Sequence, residues 1–447
     1  MQREDRRPDI FHELRDIKAA EWRDAIMTHS NLCLGAMMNA KTTPISISEP
    51  VTAPHPFWSG AFRPMFLFAG LIAVVAVVWW VAGMAHGVAT PSLGTPSLWH
   101  GHEMIFGFGG AAIGGFLLTA IANWTGRPGV SGGLLMVLAA CWLIARLAIG
   151  FGEVLAPAMT IIGGLGYFIA LIVIAGRELV LGRNYRNLKI LGILGLITAF
   201  DGVFIASALG LIALDPVVIY QSAILLIVLL IALIGGRIIP AFTRNWLQRE
   251  QPDAAMPVMF TRFDGACLAA LAITIVIGMV DTDGIIFGAA LLITATLHGF
   301  RMARWRGHLT LRDPLVAMLH FAYFWVPAGL ALFGIAHIWP DVIAARDALH
   351  GLTGGAMACM IIAIGGRAAL GHTGRELRAS LALNAAFGLV WISTVLRLLV
   401  GQFPDAYLPV LAAATLCWLG GWLAFLIGYA PILLGPSQKK TRGIPVK

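Results

Sequence analysis

Long apolar runs separated by short polar breaks repeat along this chain from about residue 63 to residue 434. Each run approaches or passes the ~20 residues a helix needs to cross a hydrocarbon layer about 30 Å thick. The pattern predicts twelve membrane helices, beginning near Pro64, His100, Gly133, Glu153, Leu188, Val217, Phe263, Asp283, Leu315, Arg346, Ser380 and Ala406. Helices satisfy their own backbone hydrogen bonds, which is the condition lipid imposes on a spanning segment. The expected fold class is therefore all-α, a polytopic membrane protein. Residues 1–62 read as a polar, partly disordered N-terminal extension with a helical piece over Phe11 to Met27, residues 63–434 as the twelve-helix domain, and residues 435–447 as a basic tail. The extension has no signal-peptide apolar core, and Met37 or Met38 offers an alternative start.

Composition agrees with the pattern: 58% of the 447 residues are hydrophobic and only 12% charged, where soluble globules carry about 25%. The net charge of +8 changes the picture only through its distribution. With the N-terminus placed in the cytoplasm, Arg177, Arg183, Arg186 and Lys189 fall in one cytoplasmic segment, Arg237, Arg244, Arg249 and Arg262 in the next, and Arg301, Arg304, Arg306 and Arg312 in a third. Arg375, Arg378 and the C-terminal lysines follow, while the opposite loops carry only Arg346. This asymmetry predicts both termini inside. It also accounts for the basic excess without a nucleic-acid partner. The five cysteines are isolated and no C-x-x-C-H occurs, so any haem is held non-covalently.

The chemistry concentrates in Trp99-His100-Gly101-His102-Glu103-Met104 at the start of the second helix. Ionisable groups at the mouth of a membrane helix are costly and are read as functional by default. At about 100° per residue, His100 shares a face with Met104, Gly107, Ala111 and Gly114, and His102 points the opposite way. One regular helix therefore cannot aim both imidazoles at one metal. Small residues below His100 permit close approach of another helix or a flat cofactor, and helix packing alone would also explain them. The tenth helix repeats the layout, with His350 at its outer start above Gly354, Met357 and Ala358. If the two helices are neighbours, the pair could hold one b-type haem between axial imidazoles.

Other intramembrane polar groups admit two readings. Arg146 and Arg397 lie toward the outer side and Asp201 nearer the middle. Either Arg146 pairs with Asp201 while Arg397 snorkels, or the arginines hold haem propionates. Toward the cytoplasm, His298, His320 and His372 would suit copper or zinc but lack metal-type spacing, and each also fits a plain structural role. The stretch Gly235 to Asn245 is expected to end the sixth helix, with Pro240 disrupting its ladder. No phosphate-loop, hydrolase or kinase signature is present.

Four stretches, WHGHEMIFGFGGAAIGGFLLTAIANWTGRP (99–128), GGRIIPAFTRN (235–245), RDPLVAMLHFAYFWVPAGL (312–330) and HGLTGGAMACMIIAIGGRAALGHTGREL (350–377), resemble the NnrS family. That resemblance implies a bacterial haem- and copper-containing membrane protein linked to nitric oxide, nitrosative stress and denitrification. It points to His100, His102, Glu103, Arg237, Arg244, His320, Met360, Arg367, His372 and Arg375, beside His350. A fainter similarity links His100, Met104 and the following glycines to the second helix of the haem–copper oxidase catalytic subunit. The sixth and seventh helices contain no histidine, so a binuclear copper site, oxygen reduction and proton pumping are not expected. The leading expectation is haem on His100 and His350, with His102 and Glu103 as supporting groups or an outer copper pair, and nitric oxide or a nitrosyl-iron species as ligand. With both axial positions filled, direct nitric oxide binding requires one histidine to leave. The electron donor, the reaction and any catalytic residue stay unassigned. The alternative is a transporter of a metal, haem or nitrosyl-iron species, using the two histidine groups as stations.

Overall fold

A computed structural model describes residues 55–281 and 284–438. Most of the N-terminal extension, including its expected helix, and nearly all of the basic tail lie outside the described residues. Twelve helices are long and apolar enough to span a membrane: α1 (Phe62–His86), α2 (Pro96–Thr125), α3 (Gly132–Gly150), α4 (Pro157–Leu181), α5 (Tyr185–Ala208), α6 (Pro216–Glu250), α7 (Arg262–Val280), α8 (Ile285–Ala303), α9 (Pro314–Ile338), α10 (Ala345–His372), α11 (Leu381–Gln402) and α12 (Pro404–Leu434). Their starts lie within a few residues of the expected ones. The described residues hold no strand, only one isolated bridge between Leu93 and Thr95.

Local chemistry sets the helix ends. Pro96, Pro157, Pro216 and Pro314 occupy first-turn positions, where a missing N–H costs nothing. Thr95, Asp215, Asp313 and Ser380 cap α2, α6, α9 and α11 by accepting from the N–H groups of Leu98, Val217, Leu315 and Leu383. Gly87 ends α1 at φ 65°, a left-handed stop that favours glycine.

The two helices that carry the singled-out histidines are the central ones. The membrane windows of α10 and α2 are 83% and 78% buried, against 33% for α1, α7 and α12. Helix α10 packs on α1, α2, α6, α9, α11 and α12. It approaches α9 closely because a Cβ at Gly351 would come within 3.1 Å of the Gly329 Cα.

Both central helices depart from regular α geometry at the same place. A π-helical segment, Glu103–Gly109, follows His102 in α2, and another, Gly351–Ala358, follows His350 in α10. Longer-range backbone hydrogen bonding widens the helix and rotates everything below it. The face expected under His100 therefore breaks after Met104. Gly107 turns to Arg146 and Glu103, and Gly114 to Tyr167, while Gly109, Ala112, Ile113 and Phe116 take over the interior seam.

Helix α6 also corrects an expectation, because it runs through Pro240 to Glu250. Its 35 residues extend about 52 Å, beyond the thickness of a hydrocarbon core. Gly236 gives Arg301 room to lie against the α6 backbone, where the guanidinium donates to the Ala232 carbonyl at 2.9 Å. At the start of α1, the buried Arg63 donates to the carbonyls of Ile432, Leu433 and Gly435 and to Ser437 Oγ, tying the first helix to the end of the last.

Candidate functional site

His100 and His350 line one cavity of about 510 Å³ between α1, α2, α6, α10, α11 and α12, within the 300–1,000 Å³ typical of small-molecule sites. Neighbouring central helices start at the same level and bring the two imidazoles to the same chamber. His350 uses Nδ1 on the Arg346 carbonyl, at 2.9 Å, which leaves Nε2 as the ring's available nitrogen. Such a bond fixes the tautomer and orientation of a ligating imidazole. His100 stacks on Trp80 of α1, ring centroids 4.6 Å apart, and its Nδ1 is buried without a hydrogen-bond partner among the described residues. The His100 ring is therefore set by stacking and not by a hydrogen bond at Nδ1.

The rest of the lining divides into an apolar body and a charged rim. Met104, Ile105, Leu349, Met357, Leu411 and Trp418 make the walls, and Arg346 and Arg397 the rim. Arg397 donates through Nη1 to Asp347 Oδ1 at 2.7 Å, so it is held in place rather than reaching freely for the interface. The residues this adds to the expected set are Trp80, Arg346 and Asp347. Two of them were visible in principle, since Arg346 and Asp347 precede His350 by one helical turn.

Arg146 does not line this cavity. It donates to Glu103 Oε1 at 2.6 Å, while Asp201 Oδ1 sits 2.8 Å from His102 Nε2. A longer contact of 3.4 Å joins His102 Nδ1 to Glu103. The result is a buried chain, Asp201–His102–Glu103–Arg146, in place of the direct Arg146–Asp201 pair that depth alone indicated. All four are essentially inaccessible. Two carboxylates face one guanidinium, and the imidazole that joins them is the group able to balance the second. His102 does point away from His100, and both its nitrogens are engaged by protein partners.

The three inner histidines do not converge. His298 bonds the Tyr323 hydroxyl at 2.9 Å and the Cys267 carbonyl at 3.2 Å. His320 bonds Thr243 Oγ1 at 2.7 Å. His372 lies against Phe62. Among the described residues no group of three or more His, Cys, Asp or Glu side chains could hold a metal ion.

Below the histidine chamber a narrow apolar cavity of about 90 Å³ holds Met357 and Met360 on its wall. Beneath it opens a third cavity of about 710 Å³, lined by Arg186, Lys189, Arg237, Arg367 and His372. Arg244 is exposed beyond it, and Arg375 keeps a buried Nη1 without a partner among the described residues. Each of the three cavities takes side chains from α2, α6 and α10.

A family model described as NnrS protein matches residues 56–437. No curated protein matches the chain.

Proposed function

Because the chain belongs to the NnrS family, a family of membrane proteins linked to the nitric oxide response, we propose that it binds a b-type haem in the histidine chamber and handles nitric oxide or a nitrosyl-iron species there. The observation that carries this reading is the pair of imidazoles on one chamber of about 510 Å³, with His350 held by its Nδ1 so that Nε2 is available. The residues fit the group: two imidazoles for iron, a flat apolar body for the ring, and Arg346 and Arg397 for acidic substituents. Bound there, a haem supplies an iron centre that takes up nitric oxide or passes an electron.

The side chains have definable tasks. The Arg346 carbonyl holds the His350 ring by its Nδ1, and the indole of Trp80 sets the plane of His100. Apolar walls from Met104, Met357 and Trp418 exclude water and favour an uncharged diatomic ligand. Asp347 keeps Arg397 at the rim. His102 and Glu103 support α2 from behind through Asp201 and Arg146, and their engaged atoms do not fit a copper ion. The membrane is the bacterial inner membrane and the arginine-rich end faces the cytoplasm, as the loop charges favour.

The test is purification of wild type beside His100→Ala and His350→Ala, with absorption spectra and metal analysis. Near-stoichiometric porphyrin in wild type and at least about tenfold less in each variant is expected; full porphyrin in both variants overturns the reading. A second reading, transport of a metal, haem or nitrosyl-iron species, draws on one observation: α2, α6 and α10 line three cavities in succession. Cargo lost on washing the purified protein would favour it.

A further inference from the structure

The cavity at the arginine-rich end takes no part in the haem chemistry above. Arg237 from α6 and Arg367 from α10 face it with Arg186 and Lys189 from the start of α5, and Asn123 and Asn184 add amides. Among the described residues no carboxylate lines it. Arg237 and Arg367 are half-buried, and among the described residues neither makes an ion pair. Their guanidinium groups lie against Phe260 at 5.6 Å and Phe242 at 4.0 Å. Asp313, the carboxylate whose charge reaches Arg367, caps α9 through the Leu315 N–H. Arg301 and Arg304, by contrast, share Asp264. Loop charges that only set orientation would lie in the headgroups. These cations instead line one half-open volume, with Arg186 and Lys189 at its exposed mouth.

The roof of that volume is as apolar as its floor is basic. Phe66, Phe116, Ile190, Ile234, Ile238 and Ile364 are shared with the narrow cavity above. From His350 to Arg367 the rise along α10 is about 25 Å, which sets the cations near the far headgroup level. A ligand that fits both halves has a phosphate head and a long apolar body.

We propose that this cavity binds an acidic phospholipid, its phosphate between Arg237 and Arg367 and an acyl chain along the isoleucine seam. Basic pockets between membrane helices are recognised lipid-phosphate sites, and a forked guanidinium matches a phosphate in two bonds. The proposal does not depend on a haem in the histidine chamber.

The test uses the full-length protein, stripped of lipid in neutral detergent and titrated with dioctanoyl phosphatidylglycerol, dioctanoyl phosphatidylcholine or glycerol 3-phosphate, with bound lipid counted by native mass spectrometry. Saturable binding of the glycerol lipid is expected, with the choline lipid about tenfold weaker and glycerol 3-phosphate unable to displace it. The Arg237→Gln/Arg367→Gln pair should weaken binding about thirtyfold, while Arg237→Lys/Arg367→Lys, which keeps the charge and loses the fork, falls between the two and shows that the bundle is intact. Equal binding of the two lipids, or unchanged affinity in the glutamine pair, overturns the proposal. So does displacement by glycerol 3-phosphate, which would make the ligand a soluble phosphate.

Discussion

Asp201, His102, Glu103 and Arg146 form the most costly arrangement at the scale of single residues, because two carboxylates, a guanidinium and the imidazole between them are kept from water. Removing one partner of such a pair costs about 3–5 kcal/mol, since the other is left buried and uncompensated. Glu103→Gln or Arg146→Met is therefore expected to lower the thermal midpoint and the yield of folded protein, and the double variant Glu103→Met/Arg146→Met to recover much of the loss. Thermal unfolding of the purified set checks this, and a double variant no better than the singles would deny the coupling. The sequence showed which side chains are ionisable and at what depth, and hence that Arg146 and Asp201 both need a partner. It did not show which partner, because pairing depends on helix rotation and neighbour choice. His102 illustrates the gap. Its direction away from His100 was legible from helical spacing, but its carboxylate partner lies 99 positions along the chain.

The element scale is where sequence reasoning went furthest and then slipped. Spans followed from the apolar runs, and the starts agree closely. The π segments had no such signal, because Glu103–Gly109 and Gly351–Ala358 read as ordinary glycine-rich helix. A regular helix therefore assigned Gly107 and Gly114 to the wrong seam. Deleting one residue within Glu103–Gly109 should restore α geometry and, because a π segment takes up about one extra residue, leave His100 in register with the lower half of α2. Retained porphyrin with retained monodispersity in gel filtration is the expected outcome; loss of porphyrin would mean that the widened segment itself shapes the chamber. Gly236 gives a second case: a Cβ there meets the Arg301 guanidinium, so Gly236→Ala should cost about 1–3 kcal/mol, read as a lower thermal midpoint.

For the whole molecule, the loop charges predict the sides. A membrane-impermeant maleimide should label a cysteine placed at Glu153 or Pro340 in intact spheroplasts, and one placed at Arg183 or Arg306 only after lysis. The reverse pattern would invert the proposed topology. Neighbourhood of the second and tenth helices was the condition the sequence could state but not decide, since it depends on how twelve spans pack. The structure meets it by making these two helices the centre.

The tie from Arg63 to the carbonyls near residue 433 spans 370 positions. At about 5–20 residues per second, the ribosome needs roughly 20–70 s to deliver the acceptors after the donor has emerged. Throughout that interval the Arg63 guanidinium lacks the carbonyls that it meets in the finished fold. Biogenesis therefore has a last step as well as a first. A chain stopped just short of Leu433 would hold nearly every span and lack most of this tie between the first helix and the last.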